Sequence, residues 1–224
     1  MTAIAICPTT NTPGKKDVTG AFYPEARFFA KLHGADLYRF DNTASKRARR
    51  VEVETAIRGA SGMIDTVAIF CHGHKNGLQT GHTTRSAQRL ADAIAGISQP
   101  WVQVALYACD TARDEDRQRQ DDQLPGPGGE GGFADALRDA MLVAGLVGGH
   151  VDAHTVTAHT TRAPYVRRFE VAPEQVGGEW LVEPHGALWN AWRRRLQKDR
   201  AFRLSFPRWA RERVLAELDT LKRL

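Results

Sequence analysis

The chain has 224 residues, 42% of them hydrophobic and 25% charged, which is typical of a soluble globular protein able to bury one full core. Three cysteines do not suggest a disulfide framework, and no apolar run approaches the roughly 18 residues of a membrane span. The first residues lack the basic region of a signal peptide, so we expect a cytoplasmic protein.

Positive charge is concentrated at the C-terminal end. Residues 185–224 contain 11 Lys and Arg against 4 Asp and Glu, whereas residues 1–184 contain 20 against 22. The formal net charge of +5 therefore belongs to the C-terminal segment. It is poor support for nucleic-acid binding by the rest of the chain.

Strands and helices are predicted to alternate along most of the chain. Apolar runs predict strands at Ala3–Cys7, Ala35–Phe40, Asp65–Cys71, Trp101–Ala108 and Gly148–Thr160. Helical spacing predicts helices at Pro24–His33, Ser45–Gly59, Arg85–Ala95 and Phe133–Ala144. In the second helix, Val51 and Ile57 are expected to face the core. This alternation predicts an α/β fold, a three-layer sandwich in which helices cover both faces of a mainly parallel sheet.

Two segments depart from this rhythm. Arg113–Gly132 is charged and then rich in Pro and Gly, which predicts a mobile loop. Residues 185–224 read as a basic helical C-terminal extension of a domain formed by residues 1–184. Its apolar positions predict two helices with a break near Pro207: Leu188, Trp192, Leu196, Val214, Leu218 and Leu221. We expect these two helices to pack on the domain. Their basic residues could bind an acidic protein partner, nucleic acid or an anionic membrane face.

The ends of two predicted strands carry residues suited to nucleophilic catalysis. One strand runs into His72-Gly73 and a later one into Ala108-Cys109. In open α/β sheets, functional sites lie beyond the carboxyl ends of the strands. An imidazole can accept the thiol proton and return it to a leaving amine, and backbone N–H groups near a glycine can stabilise an oxyanion.

These residues resemble the signature of caspase-like cysteine peptidases, the group of caspases, metacaspases, gingipains, separase and bacterial CHAT domains. The stretch Leu106–Ala112 is closest to the CHAT pattern, in which a threonine commonly follows Ala-Cys. It lacks the Gln and Arg-Gly that flank the cysteine of caspases. The separation of 37 residues from His72 to Cys109 suits one helix between neighbouring strands. The resemblance covers about residues 1–170.

The resemblance implies a thiol protease that hydrolyses peptide bonds of a protein or peptide through a thioacyl-enzyme. His72 would be the general base and acid, and Cys109 the nucleophile. Gly73 and Cys109 would supply the N–H groups of the oxyanion hole. The chemistry would need no metal and no cofactor.

Three carboxylates are candidates for substrate binding: Asp17, Asp110 and Asp152. The resemblance implies that residues after the first strand and around the nucleophile line the pocket for the side chain before the cut. An acidic pocket would prefer Arg or Lys there through charge-assisted hydrogen bonds.

Two other functions stay open. His72 and His74 have metal-ligand spacing and, with a histidine of the fifth strand, predict a metal-dependent hydrolase as one alternative. The other alternative is a catalytically silent caspase-like binding module. Cys7 and Cys71 are expected to be small buried apolar residues.

Overall fold

Within the residues that the computed structural model describes, 2–9, 22–114, 126–158 and 161–222, seven strands form one sheet. These strands are β1 (Thr2–Pro8), β2 (Asp36–Phe40), β3 (Ile64–Phe70), β6 (Ser98–Tyr107), β7 (His150–His154), β8 (Val166–Glu170) and β9 (Glu179–Trp180). A short hairpin follows β3 and consists of β4 (Gly73–His74) and β5 (Gly77–Leu78). The helices are α1 (Phe22–His33), α2 (Lys46–Arg58), α3 (Ala87–Ala95), α4 (Phe133–Val143), α5 (Trp189–Lys198), α6 (Arg200–Arg203) and α7 (Arg211–Lys222).

The sheet is parallel in its first part and antiparallel at one edge. Its order is β2-β1-β3-β6-β7-β8-β9, and the neighbours from β2 to β7 run parallel. β8 and β9 are added antiparallel. Because the five parallel strands share one direction, their carboxyl ends meet at one edge of the sheet.

Both faces of the sheet are covered, which confirms the predicted α/β fold with three layers. One face packs on α2, α3 and α4 through a large apolar core that includes Val53, Leu90 and Leu137. The other face packs on α1, with Phe29 and Phe70 in its core. Parallel strands buried on both faces are rich in apolar residues: all seven residues of β3 are buried, and Val67–Phe70 is an uninterrupted apolar run.

The C-terminal segment completes the helical layer that contains α1, and it is in direct contact with the sheet. The hydroxyl of Tyr107 in β6 donates a hydrogen bond to the carbonyl of Arg203 (3.1 Å). Arg208 forms an ion pair with Asp65 in β3 (2.9 Å). A third apolar cluster, around Trp192, joins α5, α6 and α7. The segment predicted as an extension therefore packs as part of the layer that also contains α1.

Three details differ from the prediction. The strand expected over Gly148–Thr160 ends at His154. Its pairing with the antiparallel strand β8 stops at that residue, which lies opposite Val166. β8 and β9 were not predicted. Val51 is 48% exposed, although Ile57 on the same helix is fully buried. The buried face of α2 consists of Val53, Glu54 and Ile57 instead.

The loop predicted over Arg113–Gly132 falls partly outside the described residues, which omit 115–125. Its final part is packed rather than free. Gly128 forms a backbone bridge with Gly178, and Arg167 donates hydrogen bonds to the carbonyls of Gly126 and Gly178 (both 2.8 Å). Among the described residues, no helix has the length and apolar composition needed to cross a membrane.

Candidate active site

Strand register brings His72 and Cys109 to the same edge of the sheet. Phe70 of β3 pairs with Tyr107 of β6, and the N–H of Cys71 donates to the Tyr107 carbonyl (3.4 Å). His72 and Cys109 each lie two residues beyond this pair. They follow neighbouring strands, which are about 4.8 Å apart. Phe70 and Tyr107 face the α1 layer, so strand alternation places His72 and Cys109 on that side.

Gly73 packs directly against the turn that carries Cys109. A Cβ atom at Gly73 would lie 2.6 Å from the carbonyl oxygen of Cys109 and 2.8 Å from the Cβ of Ala108. Real Cβ atoms do not approach other atoms so closely, so this position requires glycine. The two sequence motifs, His72-Gly73 and Ala108-Cys109, are therefore in van der Waals contact.

His72 is held from two sides. Its ring meets the ring of Phe22, the first residue of α1, edge to face at a centroid distance of 4.8 Å. Gln79 binds its backbone twice: the His72 N–H donates to Gln79 Oε1 (3.2 Å), and the Gln79 N–H donates to the His72 carbonyl (2.8 Å). Neither Phe22 nor Gln79 carries a sequence signal that marks it as a neighbour of His72; Gln79 directly follows the β4–β5 hairpin.

A buried histidine anchors the far end of this hairpin segment. His82 is fully buried, and its Nδ1 is 2.9 Å from the hydroxyl of Thr80. Its Nε2 lies 3.5 Å from Glu54, whose carboxylate is also bound by Arg89 through two hydrogen bonds (2.8 and 2.9 Å). Burial lowers the pKa of His82 to about 4 against the attraction of Glu54. The imidazole is therefore neutral at pH 7 and fixes the segment by packing and hydrogen bonding rather than as an ion pair.

The thiol of Cys109 is covered by the segment that follows β7. Its Sγ lies 3.5 Å from the carbonyl oxygen of Ala158, to which the thiol donates. Burial raises the pKa of the Cys109 thiol; the Ala158 backbone offsets part of this, and the Asp110 carboxylate adds to it. Within the described ranges, no hydrogen bond joins the His72 ring to this thiol. The resting thiol is thus protonated and bonded to Ala158.

Asp110 ties the same segment to the cysteine turn. It has a φ of 56°, a left-handed conformation that aspartate tolerates better than most residues. Its Oδ2 accepts a short hydrogen bond from the hydroxyl of Thr157 (2.6 Å). Thr157 and Ala158 were not singled out by the sequence, because their contacts with the cysteine turn span more than 45 residues of chain.

The structure describes two of the three carboxylates predicted to bind substrate, Asp110 and Asp152. Asp17 lies outside the described residues. Asp110 is next to the nucleophile but is bonded to Thr157. Asp152 is 2% exposed, and both of its oxygens accept hydrogen bonds from Arg168 (2.8 and 2.9 Å). Burial opposes its ionisation, but Arg168 and His150 outweigh it and lower the pKa of Asp152 to about 2. Assigning Asp152 to a substrate pocket was wrong, because its charge is already neutralised by a buried arginine.

The remaining cysteines are buried, as predicted. Cys7 and Cys71 are fully buried, one on each side of the sheet. Burial raises the pKa of Cys7 to about 11 and that of Cys71 to about 12. Cys109 is the cysteine with partial exposure, so the three thiols differ strongly in their access to reagents.

The histidines considered as metal ligands are spread over the molecule. His74 is exposed and its Nδ1 accepts from the Asn76 N–H (3.3 Å), whereas His150 is buried and bonded to the Pro207 carbonyl (2.9 Å). Over the described part of the chain, no three His, Cys, Asp or Glu side chains are grouped as metal ligands.

No protein-family model, curated protein or solved structure matches this chain. The resemblance to caspase-like peptidases therefore depends on the residues around His72 and Cys109 alone.

Proposed function

We propose that this protein is a cysteine endopeptidase in which Cys109 is the nucleophile and His72 the general base and acid. The observation that carries the proposal is the contact between Gly73 and the Cys109 turn, which joins the two motifs at the carboxyl edge of a parallel sheet. Loops at this edge commonly bind substrates, and the rigid strands behind them hold the reacting groups in place.

The reaction would follow the chemistry of a thiol nucleophile. His72 accepts the Cys109 proton, and the sulfur attacks the carbonyl carbon of a peptide bond. The N–H groups of Gly73 and Cys109 stabilise the oxyanion of the tetrahedral intermediate. The C–N bond then breaks, the amine takes the proton from His72, and a thioester remains. Water, deprotonated by His72, hydrolyses the thioester and releases the acid product.

The resting arrangement must open before this reaction begins. The thiol donates to Ala158, and its pKa is raised by burial, so the thiolate is scarce at neutral pH. Apo enzymes often show long distances between nucleophile and base that shorten when substrate binds. We propose that substrate binding moves residues 155–158 away and lets the thiol meet His72.

The proposed preference for Arg or Lys before the cut depends on Asp110. Its carboxylate is the one predicted substrate-binding group that the structure describes beside Cys109. Binding a basic side chain there would require Asp110 to exchange the Thr157 hydroxyl for the substrate cation. Three free thiols are compatible with a reducing compartment, and we propose the cytoplasm as its location.

A catalytically silent binding module is the second candidate. It is favoured by the hydrogen bond that covers the nucleophile, because the Cys109 thiol donates to the Ala158 carbonyl and not to the His72 ring. In that case the cysteine turn would be a structural corner, and a protonated thiol would be its permanent state.

Alkylation of the thiols separates the two candidates. The protein is treated with iodoacetamide at neutral pH, and the modified cysteines are located by mass spectrometry in the wild type and in His72→Ala. Cys7 and Cys71 are internal controls, since their burial and raised pKa values make them slow. Fast labelling of Cys109 that falls in His72→Ala, with cleavage of Arg- or Lys-terminated reporter peptides, supports the peptidase. Slow labelling that is independent of His72, with no cleavage, rejects it.

A further inference from the structure

A cleft between α5 and α7 is unusually rich in positive charge. It has a volume of about 420 Å³ and is lined by Ala191, Arg194, Arg195, Lys198, Asp199, Arg200 and Leu221. Four of these seven side chains are cationic and one is a carboxylate. The cleft lies in the C-terminal segment, where the excess of Lys and Arg over Asp and Glu is concentrated.

Two of the four cations have no partner within the described residues. Arg195 is committed to Asp199 (3.0 Å) and Glu217 (2.6 Å). Arg200 is committed to Glu25 (3.2 Å). Arg194 and Lys198 are exposed and form no ion pair or hydrogen bond with the described part of the chain. Their charges are therefore available to a ligand.

The walls of the cleft also offer apolar surface. Ala191 and Leu221 contribute apolar atoms from the two helices. A ligand with carboxylates beside an apolar side chain would match both the free cations and this apolar surface, because carboxylates accept from guanidinium and ammonium groups.

The cleft is close to the candidate active site. Arg200, in its lining, contacts the first turn of α1 through Glu25 and through the Pro24 carbonyl (2.6 Å). Phe22, in the same turn, touches the ring of His72. The first turn of a helix is about 5 Å long, so His72 and the cleft are on the order of 15 Å apart. An extended peptide covers this distance with about five residues.

We propose that this cleft is an exosite that binds an acidic segment of a protein substrate, about five residues from the bond that is cut. The inference depends on the proposed peptidase function for its role in cleavage, but not for binding itself. A peptide fits better than nucleic acid, because the cleft is short, has an apolar wall and offers two uncommitted cations. A nucleic-acid backbone is bound by a longer row of cations.

Binding is measured first, with full-length Cys109→Ala protein so that no peptide is cut. The probe is a fluorescein-labelled peptide of about six residues, Glu-rich with one Leu, followed by fluorescence anisotropy. A peptide with Gln in place of Glu is the ligand control. We expect the double change Arg194→Ala and Lys198→Ala to weaken binding of the Glu peptide about tenfold, as two exposed charge contacts would. Arg193→Ala, an exposed neighbour outside the lining, is the matched control and should change binding less than about twofold.

Three results would overturn the exosite. One is equal binding of the Glu and Gln peptides, and the second is an equal loss in Arg193→Ala, which would indicate diffuse charge. The third is displacement of the Glu peptide by a single-stranded oligonucleotide that binds more tightly, which would assign the cleft to nucleic acid.

Cleavage assays distinguish this proposal from the proposed function. Cleavage of reporter peptides with and without a Glu-rich segment about five residues from the cut is measured with the wild type and with the Arg194/Lys198 double variant. A higher kcat/KM for the acidic peptide that disappears in the Arg194/Lys198 double variant supports the exosite. Cleavage without this preference rejects the exosite and leaves the peptidase standing. Selective binding without any cleavage rejects the peptidase and leaves an acidic-peptide binding site.

Discussion

The segment over Cys109 should loosen when the Thr157 hydroxyl is removed. Thr157→Val keeps the shape of the side chain but abolishes the 2.6 Å hydrogen bond to Asp110. A hydrogen bond to a carboxylate contributes about 1.5–3 kcal/mol, and we discount it to about 1 kcal/mol because Thr157 is exposed to water. If this bond holds Ala158 over the thiol, the open state becomes about fivefold more populated.

The assay is the rate of Cys109 alkylation by iodoacetamide, which should rise about fivefold in Thr157→Val. Thr155→Val is the matched control, because its buried hydroxyl belongs to the same segment but has no hydrogen-bond partner among the described residues. It should leave the rate of Cys109 labelling unchanged. An unchanged or slower rate in Thr157→Val, or an equal acceleration in Thr155→Val, would refute the view that the Asp110–Thr157 bond keeps the thiol covered.

Three further predictions concern side chains that stabilise the β4–β5 hairpin segment and the sheet. Gln79→Ala should lower kcat about tenfold with little change in KM, because it removes the side-chain oxygen that accepts from the backbone N–H of His72. Gln79→Glu, whose side chain can still accept this hydrogen bond, should restore most of the rate. Arg168→Ala should lower the free energy of unfolding in urea by about 3–5 kcal/mol, since it leaves the buried carboxylate of Asp152 uncompensated; joint replacement of both residues by apolar side chains should cost much less. For His82, the folded pKa of about 4 lies below the ordinary 6.5, so its contribution to stability is complete above pH 6.5 and is lost as the pH falls towards 4. That loss should reach about 3 kcal/mol and be absent in His82→Gln, and an unchanged pH slope in this variant would contradict the assignment.

Local sequence patterns were sufficient for most of the sheet. The last four residues of β3 and of β6 are apolar and buried on both faces of the sheet, and such runs are visible in a short window of sequence. α2 was bounded correctly because its ends carry local signals: the Ser45 side chain accepts from the Ala48 N–H, and Gly59 follows the last turn. β8 and β9 lack such a signal, since they carry charged residues such as Arg167, Arg168 and Glu179.

The positions of His72 and Cys109 could be predicted for the same reason. Each follows an apolar strand directly, and parallel strands that are joined through one helix are neighbours in most sheets. Their placement at one edge therefore depends only on the order of elements along the chain. The contact of Gly73 with the cysteine turn is a consequence of that placement.

The sequence by itself determined the α/β alternation, the two strand ends and the burial of Cys7 and Cys71, because periodic burial leaves its pattern in neighbouring residues. Only the tertiary structure decided what surrounds the reactive groups. Ala158 covers a thiol 49 residues away, and Arg168 neutralises an aspartate that sequence reasoning had assigned to substrate. Such contacts depend on how separate segments close over the sheet. The residues that make them carry no local pattern, because their partners are distant in the chain and any residue of suitable shape and charge could occupy the same place.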